Sequence, residues 1–314
     1  MTKYKVEEIN DKKIWDEFIF QSKNKNFYAF SNCLSLEKNI QFFCVKKNNE
    51  KLALFPLNVL GDKIINCDFL IQTPIIYRHL ENSNNYRDTQ EQLTVVDTIK
   101  DFLSNNFTNG SITLDFGTQD IRPFLWSKKK KFSIHQKYTL ILDINKNDND
   151  DFLLTSLFKN FSYAKRNEMK NSMKEKYTIQ EKFSTSMFLE LMKSTSLNHG
   201  HKFDDTKHKH LVNMLETMYK KKLLTMFIVF QERIPIMLSV ISTINNFSTY
   251  LFSARSNNFQ NSSLAGAFMM KNIFDYLKKN KIDKFDFEGM NSEKNSFYKM
   301  NYGGALTPYY RIEF

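Results

Sequence analysis

The sequence predicts an α/β protein built from two similar domains. Its length of 314 residues allows one large domain or two domains of about 150 residues each. Its composition, 41% hydrophobic and 25% charged, is that of an ordinary globular protein. The chain also contains an internal repeat. A helix, a strand with an Asp, an aromatic and basic segment and a further strand recur about 170 residues apart.

Corresponding residues make the repeat visible. Asp115, in the run Leu-Asp-Phe-Gly, and Asp286, in the run Phe-Asp-Phe-Glu-Gly, are 171 residues apart. Phe132 and Tyr302 are 170 residues apart. A constant offset across several elements is typical of duplication, so we expect two related domains instead of one large fold.

In the first half, apolar runs bounded by turn residues predict strands, and apolar positions three or four apart predict helices. The predicted strands are Tyr4 to Ile9, Phe42 to Val45, Leu52 to Val59, Lys63 to Asp68, Ile112 to Phe116 and Tyr138 to Ile144. The predicted helices lie around Trp15 and Phe18 and over Glu91 to Leu103. Thr73-Pro74 predicts a loop or an edge position. The polar stretch 145–151 predicts the junction between domains 1–147 and 148–314.

In the second half, the same patterns alternate in a distinctive order. The predicted helices cover residues 151–159, 162–175, 184–198, 204–221, 263–279 and 293–299. The predicted strands cover residues 177–180, 223–230, 235–244, 248–254, 284–287 and 309–313. Gln231-Glu-Arg233 predicts a hairpin turn. The order is therefore helix, strand, helices, three antiparallel strands, helix, strand, helix and strand.

The net charge of +11 suggests a polyanionic partner, but the kind of basic residue weakens that suggestion. Of 45 basic residues only seven are Arg, which binds phosphate with two parallel hydrogen bonds, whereas Lys acts as a solvated point charge. The excess charge predicts either a solvated basic surface or attraction to tRNA, coenzyme A or an anionic membrane.

Cysteine use and hydropathy bear on the compartment. Cys33, Cys44 and Cys67 have no C-x-x-C spacing, which favours buried thiols in a reducing compartment. The charged N-terminal residues do not form a signal peptide, and no apolar run reaches 18 residues. We expect a cytoplasmic protein without a transmembrane segment, for which peripheral membrane contact stays possible.

The four histidines at positions 199, 201, 208 and 210 do not predict a metal site. No nearby Cys completes a structural zinc set, and His208 and His210, two residues apart in a predicted helix, do not share a face. We expect no bound metal.

Two motifs connect the second half to a known group. Phe161-Ser-Tyr-Ala-Lys-Arg166-Asn-Glu-Met-Lys170 opens it with a basic helix, and Phe285-Asp-Phe-Glu-Gly289 precedes Phe297-Tyr-Lys-Met-Asn-Tyr-Gly303 near its end. With the element order, they resemble the FemAB-like acyltransferases, whose domains have the N-acetyltransferase fold known as GNAT. Three segments of the first half fit the same group: Trp15-Asp-Glu-Phe18, Leu54-Phe-Pro-Leu57 and Gln72-Thr-Pro74. The resemblance implies tandem GNAT-like domains, each a mixed, mostly antiparallel sheet flanked by helices, with an acetyltransferase domain in the second half.

The resemblance also implies transfer of an acyl group to an amine. In one branch the donor is an acyl-CoA and the acceptor an amino sugar or sugar nucleotide for a cell-surface polysaccharide. In a FemX-like branch, aminoacyl-tRNA donates to a peptidoglycan precursor. We favour acyl-CoA as a co-substrate, with no tightly bound cofactor, because no heptad run typical of a tRNA-binding arm appears between residues 155 and 225. A non-catalytic tandem GNAT binding protein is the third alternative.

By resemblance, the coenzyme A site is the start of the helix after the central strands. GNAT folds place the pyrophosphate on backbone N–H groups there, where the helix dipole favours an anion. The corresponding residues are Gln260, Ser263, Leu264, Ala265 and Gly266. Ser263 stands where the family pattern has Gly, and Ser is also a favoured helix cap, so capping alone is the alternative.

Four residues are candidates for catalysis. Lys299 matches the closing motif and would carry positive charge to an oxyanion or a phosphate. Asp286 and Glu288 are two apart on a predicted strand and therefore share a face. Either could accept the amine proton or hold loop N–H groups. Tyr250 could donate a proton, or it could simply pack in the sheet.

Four further residues are candidates for substrate binding. Arg166 and Lys170 are four apart and share a helix face, and the resemblance places this helix beside the substrate. They predict either a site for a phosphate-bearing ligand or a solvated basic face. Arg255 and Tyr298 complete the predicted set.

Overall fold

The computed structural model divides the chain into two compact units. The described residues are 4–22, 24, 26–67, 69–79, 84–144, 152–198, 200, 202–257, 259 and 262–314. The first unit comprises Met1–Lys137 with Pro308–Phe314, and the second comprises Tyr138–Thr307. The predicted junction 145–151 lies outside the described residues. The observed division falls ten residues before the boundary we placed after residue 147, and the last seven residues belong to the first unit.

Both units contain runs of consecutive strands and helices that cross between strands. The strands are β1 (Tyr4–Glu8), β2 (Ile40–Lys47), β3 (Glu50–Leu60), β4 (Lys63–Ile64), β5 (Ile76–Tyr77), β6 (Asn109–Thr113), β7 (Ser133–Asp143), β8 (Tyr177–Glu181), β9 (Leu224–Gln231), β10 (Ile234–Ile244), β11 (Phe247–Arg255), β12 (Lys284–Asp286) and β13 (Ala305–Glu313). The helices are α1 (Lys12–Gln21), α2 (Ser31–Leu34), α3 (Asn85–Asn106), α4 (Arg122–Leu125), α5 (Ser156–Lys159), α6 (Tyr163–Ser172), α7 (Thr185–Asn198), α8 (Asp205–Lys220), α9 (Ser262–Lys279) and α10 (Glu293–Met300).

The first unit is built on a mixed sheet with the strand order β1-β2-β3-β4-β6-β13, and β5 pairs with β3. β4 and β6 are parallel, and their connection runs through α3. The apolar face of α3, which carries Val95, Val96, Ile99 and Leu103, packs in the same core as Phe43 of β2. Apolar positions at helical spacing thus bury the crossover helix.

The second unit repeats this plan, with the strand order β7-β12-β11-β10-β9-β8. β11 and β12 are the parallel pair, and the helix between them is α9. Met269, Ile273, Phe274 and Leu277 of α9 lie in the core of this unit. In each unit the second strand of the parallel pair has an antiparallel neighbour on its other side. This neighbour is β13 next to β6 in the first unit and β7 next to β12 in the second. Two similar domains with mixed, mostly antiparallel sheets are therefore confirmed.

The repeated aspartates occupy matching positions. Asp115 follows β6 and Asp286 ends β12, and both are 2% exposed. Burial raises the pKa of each to about 6. The amide of Asn26 donates to Asp115 at 3.4 Å. The echo seen in the sequence therefore includes a shared buried acid.

Several predicted elements differ in extent from those observed, and three of them are shortened or divided. The strand predicted from Lys63 to Asp68 ends at Ile64, and Asp68 lies outside the described residues. The strand predicted to reach Phe116 ends at Thr113. In place of one helix over 151–159 there is a 3-10 turn at Phe152–Leu154 followed by the short α5. The Thr155 side chain accepts a hydrogen bond from the Phe158 backbone at 3.2 Å and so begins α5 afresh.

Two of the cysteines are buried, Cys33 and Cys44, and Cys67 is partly exposed. In the part of the chain that the structure describes, no helix is long and apolar enough to cross a membrane.

The Gly303-Gly304 pair allows two backbone segments of the second unit to approach closely. Gly303 has φ +67°, and a Cβ there would lie 2.4 Å from the Asn160 carbonyl oxygen. A Cβ on Gly304 would lie 2.8 Å from the Ile141 carbonyl oxygen. This part of the closing motif therefore serves close packing of the backbone.

We expect Gly303→Ala to destabilise the protein more than Gly61→Ala. Gly61 has nearly the same φ, +62°, but among the described residues nothing would lie within 4 Å of a Cβ at this position, so only left-handed strain of about 1 kcal/mol applies there. At Gly303 the collision with the Asn160 backbone adds about 1–3 kcal/mol. Denaturant unfolding of both variants measures the difference, and equal losses would contradict this role of Gly303.

Candidate functional site

A cavity of about 600 Å³ opens in the second unit where the parallel pair of strands ends. The paired register of β11 and β12 finishes at Thr249 and Asp286. β11 continues to Arg255, whereas the chain after β12 stays hydrogen-bonded to β7 through Phe287 N and Leu140 O, 2.9 Å apart. The cavity lies beside the point where these two segments separate, and residues of α6, α9 and α10 complete its lining.

A β-bulge in β11 directs extra side chains into this cavity. Val240 of β10 pairs with Phe252 and Ile241 pairs with Tyr250, so Leu251 is an additional residue in the ladder. Such a bulge interrupts the alternation of side chains between the two faces of a strand. Tyr250 and Leu251 consequently both line the cavity, together with Ser253.

After β12 the chain forms a bend, the Glu288 bend, comprising residues Phe287–Met290. Its two ends are tied to β7, since Phe287 N donates to Leu140 O at 2.9 Å and Met290 N donates to Tyr138 O at 2.7 Å. Between them Glu288 adopts φ +57°, an uncommon left-handed conformation for a residue other than Gly. Glu288 lines the cavity, so the strained residue carries a functional group.

Asp286 fixes this bend through its side chain. Its carboxylate accepts a hydrogen bond from Glu288 N at 2.7 Å and another from the Thr139 hydroxyl. Asp286 is buried and is not among the residues that line the cavity. We expected Asp286 and Glu288 to share a strand face, but β12 ends at Asp286 and the left-handed Glu288 breaks the alternation. Asp286 is therefore a positioning residue for Glu288.

Lys299 fixes the same bend through hydrogen bonds to its main chain. Its ammonium donates to the main-chain oxygens of Glu288, at 2.6 Å, and Gly289, at 2.8 Å. Burial lowers the pKa of Lys299. Lys299 also lines the cavity, so one ammonium both fixes the bend and contributes positive charge.

Tyr298 carries a hydroxyl into the site from α10. This hydroxyl lies 3.0 Å from the hydroxyl of the fully buried Tyr302, and burial raises the pKa of Tyr302. Tyr298 as a residue is 41% exposed, but desolvation of its hydroxyl raises its pKa as well. The Lys165 ammonium lies 4.8 Å from the centre of the Tyr298 ring and 5.4 Å from that of Tyr302. A cation over an aromatic face is a favourable arrangement, which fixes Lys165 against both rings.

Lys165 is one of the cavity residues that the sequence did not predict, with Glu168, Ser253 and Lys294. Its side chain is 7% exposed, lines the cavity and pairs with Glu168 at 2.5 Å. The available signal was spacing: Lys165, Glu168 and the buried Met169 lie on one face of α6, three or four residues apart. Without tertiary contacts, one Lys in a Lys-rich helix has no feature that distinguishes it.

Tyr250 is a buried phenol in the wall formed by the strands. Its hydroxyl lies 2.7 Å from the Ser239 hydroxyl, and its ring contacts Phe285 and Phe287. Burial raises the pKa of Tyr250. Tyr250 therefore lines the cavity as a protonated phenol whose ring packs on two other aromatic rings.

The predicted donor-binding residues are divided between the cavity and the core. Ser263 and Gly266 line the cavity. Ala265 is buried in the core, and Leu264 packs against that core. Gln260 lies outside the described residues. α9 begins at Ser262, so Ser263 lies in the first turn of the helix and not at the cap position.

Gly266 faces Tyr298 across the cavity. A Cβ at this position would meet ordinary contacts with Met237 at 3.9 Å and with the Tyr298 hydroxyl at 4.0 Å. Gly266 therefore keeps a methyl-sized space open next to the phenol.

Arg166 and Lys170 share a helix face, but that face is not the one at the cavity. They line a separate cavity of about 260 Å³, together with Lys159 and the largely exposed Tyr163. The Arg166 guanidinium donates to the Lys159 carbonyl oxygen at 3.2 Å. The opposite face of α6 supplies Lys165, so the helix separates the two sets of cations.

The charged side chains at the larger cavity are mainly basic. Arg255, the last residue of β11, is held through its backbone by Thr195, with an N–H to hydroxyl distance of 2.8 Å. The lining cations are Lys165, Arg255, Lys294 and Lys299, and the lining carboxylates are Glu168 and Glu288. This excess of cations suits a ligand with negative charge.

No group of three or more His, Cys, Asp or Glu side chains is placed to hold a metal ion in the described ranges. His199 and His201 lie outside those ranges. His208 stacks on Phe203, with ring centres 4.0 Å apart.

Comparison with known proteins identifies the class of fold. No protein-family model matches the sequence, and no curated protein matches it. A tandem GNAT protein from the clavulanic acid biosynthesis pathway matches the structure with a TM-score of 0.55 and 7% sequence identity, over 99% of this chain and 98% of that one. The chain therefore has the tandem GNAT fold that its sequence predicts.

Two other solved structures are similar over nearly the whole chain. FemX matches with a TM-score of 0.65 and 14% identity, over 97% of this chain and 96% of that one. L-PGS from Bacillus licheniformis matches with a TM-score of 0.60 and 10% identity, over 96% of this chain and 91% of that one. At such identities the likeness establishes the fold alone.

We expect Asp286→Asn to change the pH dependence of stability. The folded-state pKa of Asp286, about 6, is above its ordinary 3.8, so burial favours the protonated acid. Its contribution to stability is complete below pH 3.8 and is lost as the pH rises through about 6. Asn stays neutral, so the free energy of unfolding of the variant relative to wild type should rise between pH 4 and pH 7, by about 1–3 kcal/mol.

Denaturant unfolding at several pH values measures this difference. Glu190→Gln, an exposed change on α7, is the control for the loss of one acid. A constant difference between Asp286→Asn and wild type from pH 4 to pH 7 would contradict a buried, proton-binding Asp286.

Proposed function

We propose that the cavity of the second unit transfers an acyl group from an acyl-CoA thioester to a primary amine. The observation that carries this proposal is the meeting of the Glu288 carboxylate with the protonated Tyr298 hydroxyl in one cavity. Acyl transfer to an amine requires one group to take a proton from the nitrogen and another to protonate the leaving sulfur.

The reaction balances as a direct transfer. The amine nitrogen attacks the thioester carbonyl, the C–N bond forms and the C–S bond breaks. The Glu288 carboxylate accepts the amine proton, and the Tyr298 hydroxyl gives its proton to the thiolate. Lys165, 4.8 Å from the Tyr298 ring centre, stabilises the phenolate that results. Asp286 and Lys299 keep Glu288 in place without touching the reacting atoms.

Two features support a polyanionic donor such as acyl-CoA. The first turn of α9 opens beside the cavity, and a helix N-terminus favours an anion. The excess of basic side chains around the cavity supplies further positive charge. The acceptor predicted from the sequence, an amino sugar or a sugar nucleotide, stays a prediction, and a sugar nucleotide would add a negative charge of its own.

We expect acyl-CoA to raise the melting temperature of the protein. A ligand that binds only the folded state stabilises it by about 2.7 kcal/mol at 100 times its dissociation constant. Thermal unfolding with acetyl-CoA and longer acyl-CoAs, with free coenzyme A and with aminoacyl-tRNA measures the preference. A shift with aminoacyl-tRNA alone would mean that the donor is aminoacyl-tRNA and not acyl-CoA. No shift with any of these ligands would contradict the proposed acyltransferase function.

Gly266→Ala locates that binding. Replacing Gly by Ala inside a helix stabilises it by about 0.5–1 kcal/mol, and the contacts at 3.9 Å and 4.0 Å leave room for the methyl group. The same methyl occupies the space beside Tyr298. We therefore expect a more stable protein with a smaller acyl-CoA shift, a combination that general destabilisation does not produce. An unchanged shift would place the donor elsewhere.

We expect Glu288→Gln to lower the turnover number by about 10²–10⁴ while leaving the acyl-CoA shift intact, because it removes a base and not a binding group. Lys299 contacts the main chain of residue 288, so the amide side chain keeps the bend. Glu293→Gln, an exposed change on the same unit, is the matched control. Assays of free thiol release with an amine panel measure turnover, and equal activity of the two variants would exclude Glu288 as the base.

A further inference from the structure

The first unit exposes an apolar tip, defined here as Leu125 and Trp126. Their exposed fractions are 64% and 59%. Leu125 ends the short helix α4 and Trp126 follows it, and the Arg122 guanidinium lies 5.2 Å from the Trp126 ring centre. Large apolar side chains next to each other at the surface mark an interaction site more often than isolated ones do.

Four consecutive lysines follow the apolar tip, at positions 128–131. Lys129 donates to the Asn105 side chain, and Lys130 donates to the Phe107 carbonyl oxygen at 2.5 Å. Among the described residues none of the four forms an ion pair with a carboxylate. The nearby Asp120 is paired with Arg122 at 2.6 Å. The positive charge of this lysine run therefore remains available to a partner.

The segment that carries the apolar tip is fixed to the core at both ends. Phe124 is buried, and its ring centre lies 5.1 Å from that of Phe132. Phe132 in turn contacts Phe314 at 5.4 Å, and the Lys130 ammonium lies 4.6 Å from the Phe314 ring centre. Because these contacts hold the segment, the tip is presented without a cost for ordering the backbone.

We propose that the apolar tip and the lysine run bind the surface of a membrane that contains anionic phospholipids. Trp is favoured at the boundary between headgroups and acyl chains, and Leu gains free energy by entering that boundary. Basic side chains close to an anionic surface add to the attraction. The apolar tip therefore suits the boundary between headgroups and acyl chains, and the unneutralised lysines suit the anionic headgroups.

A nucleic acid fits the same residues less well. Single strands bind by stacking bases on aromatic rings, which would use Trp126 but would leave Leu125 exposed. Phosphate recognition favours Arg, and the run contains Lys alone. The proposal does not depend on the reaction assigned to the second unit.

Co-sedimentation with lipid vesicles tests this surface. The full-length protein should bind vesicles of phosphatidylglycerol and phosphatidylcholine at low salt, bind less as salt increases, and not bind phosphatidylcholine alone. The double change Leu125→Ser and Trp126→Ser should lower the partition coefficient at least about tenfold. Lys128→Gln and Lys131→Gln should each lower it about fivefold.

Matched variants separate this surface from general charge and hydrophobicity. Leu60→Ser changes a side chain that is 58% exposed in the same unit, and Lys209→Gln with Lys220→Gln removes two exposed charges in the other. These controls should bind as wild type does. Equal losses in the controls and the tip variants, or no binding to anionic vesicles at low salt, would overturn the proposal.

Fluorescence provides a second readout, because the chain has two tryptophans. Trp15 is fully buried, with its indole N–H donating to Ala29 O at 2.7 Å, and it reports on folding. Trp126 should shift to shorter emission wavelengths when anionic vesicles are added, and Trp126→Phe should abolish that shift. Binding of a short RNA without any response to vesicles would also overturn the membrane assignment.

Discussion

The candidate site depends on one buried carboxylate, that of Asp286. It accepts the backbone N–H of Glu288 at 2.7 Å, and this bond directs the chain into a left-handed turn. Without that acceptor a buried donor would lose its partner, at a cost of about 1–3 kcal/mol. Lys299 then binds the two carbonyl oxygens that the bend presents, and Tyr298, its neighbour on α10, lines the same cavity as Glu288. A group that does not face the cavity thus determines the geometry of groups that do.

The basic charge of the chain serves several surfaces. On α6, the face with Lys165 contributes to the larger cavity, whereas Arg166 and Lys170 line the smaller one. A helix turns about 100° per residue, so neighbours in sequence meet different environments. In the other unit, the lysine run beside Trp126 forms a further basic surface. Net charge alone therefore does not indicate a single partner.

Local patterns predicted much of the architecture because periodicity reports the environment of each residue. The apolar runs bounded by turn residues gave the ends of β9, β10 and β11 to within a residue, and the spacing of apolar residues gave α9 in the same way. Ser263 and Gly266 were predicted from the resemblance to the donor-binding pattern of the family, and Tyr250 from its place near the end of a predicted strand, and all three line the cavity. The shared face proposed for Asp286 and Glu288 failed, because a bend held by a side chain is not a local property.

The sequence by itself determined two α/β domains, their repeat and the segments from which the site is built, because these follow from composition and period. Only the tertiary structure decided which lysine of α6 lines the larger cavity. Lys165 and Lys170 belong to the same helix, but only Lys165 lies against Tyr298 and inside the cavity. The bulge at Leu251 and the bend at Glu288 likewise arise where the parallel pair separates. The physical reason is that side-chain function depends on contacts between segments distant in the chain, whereas sequence patterns report contacts within one segment.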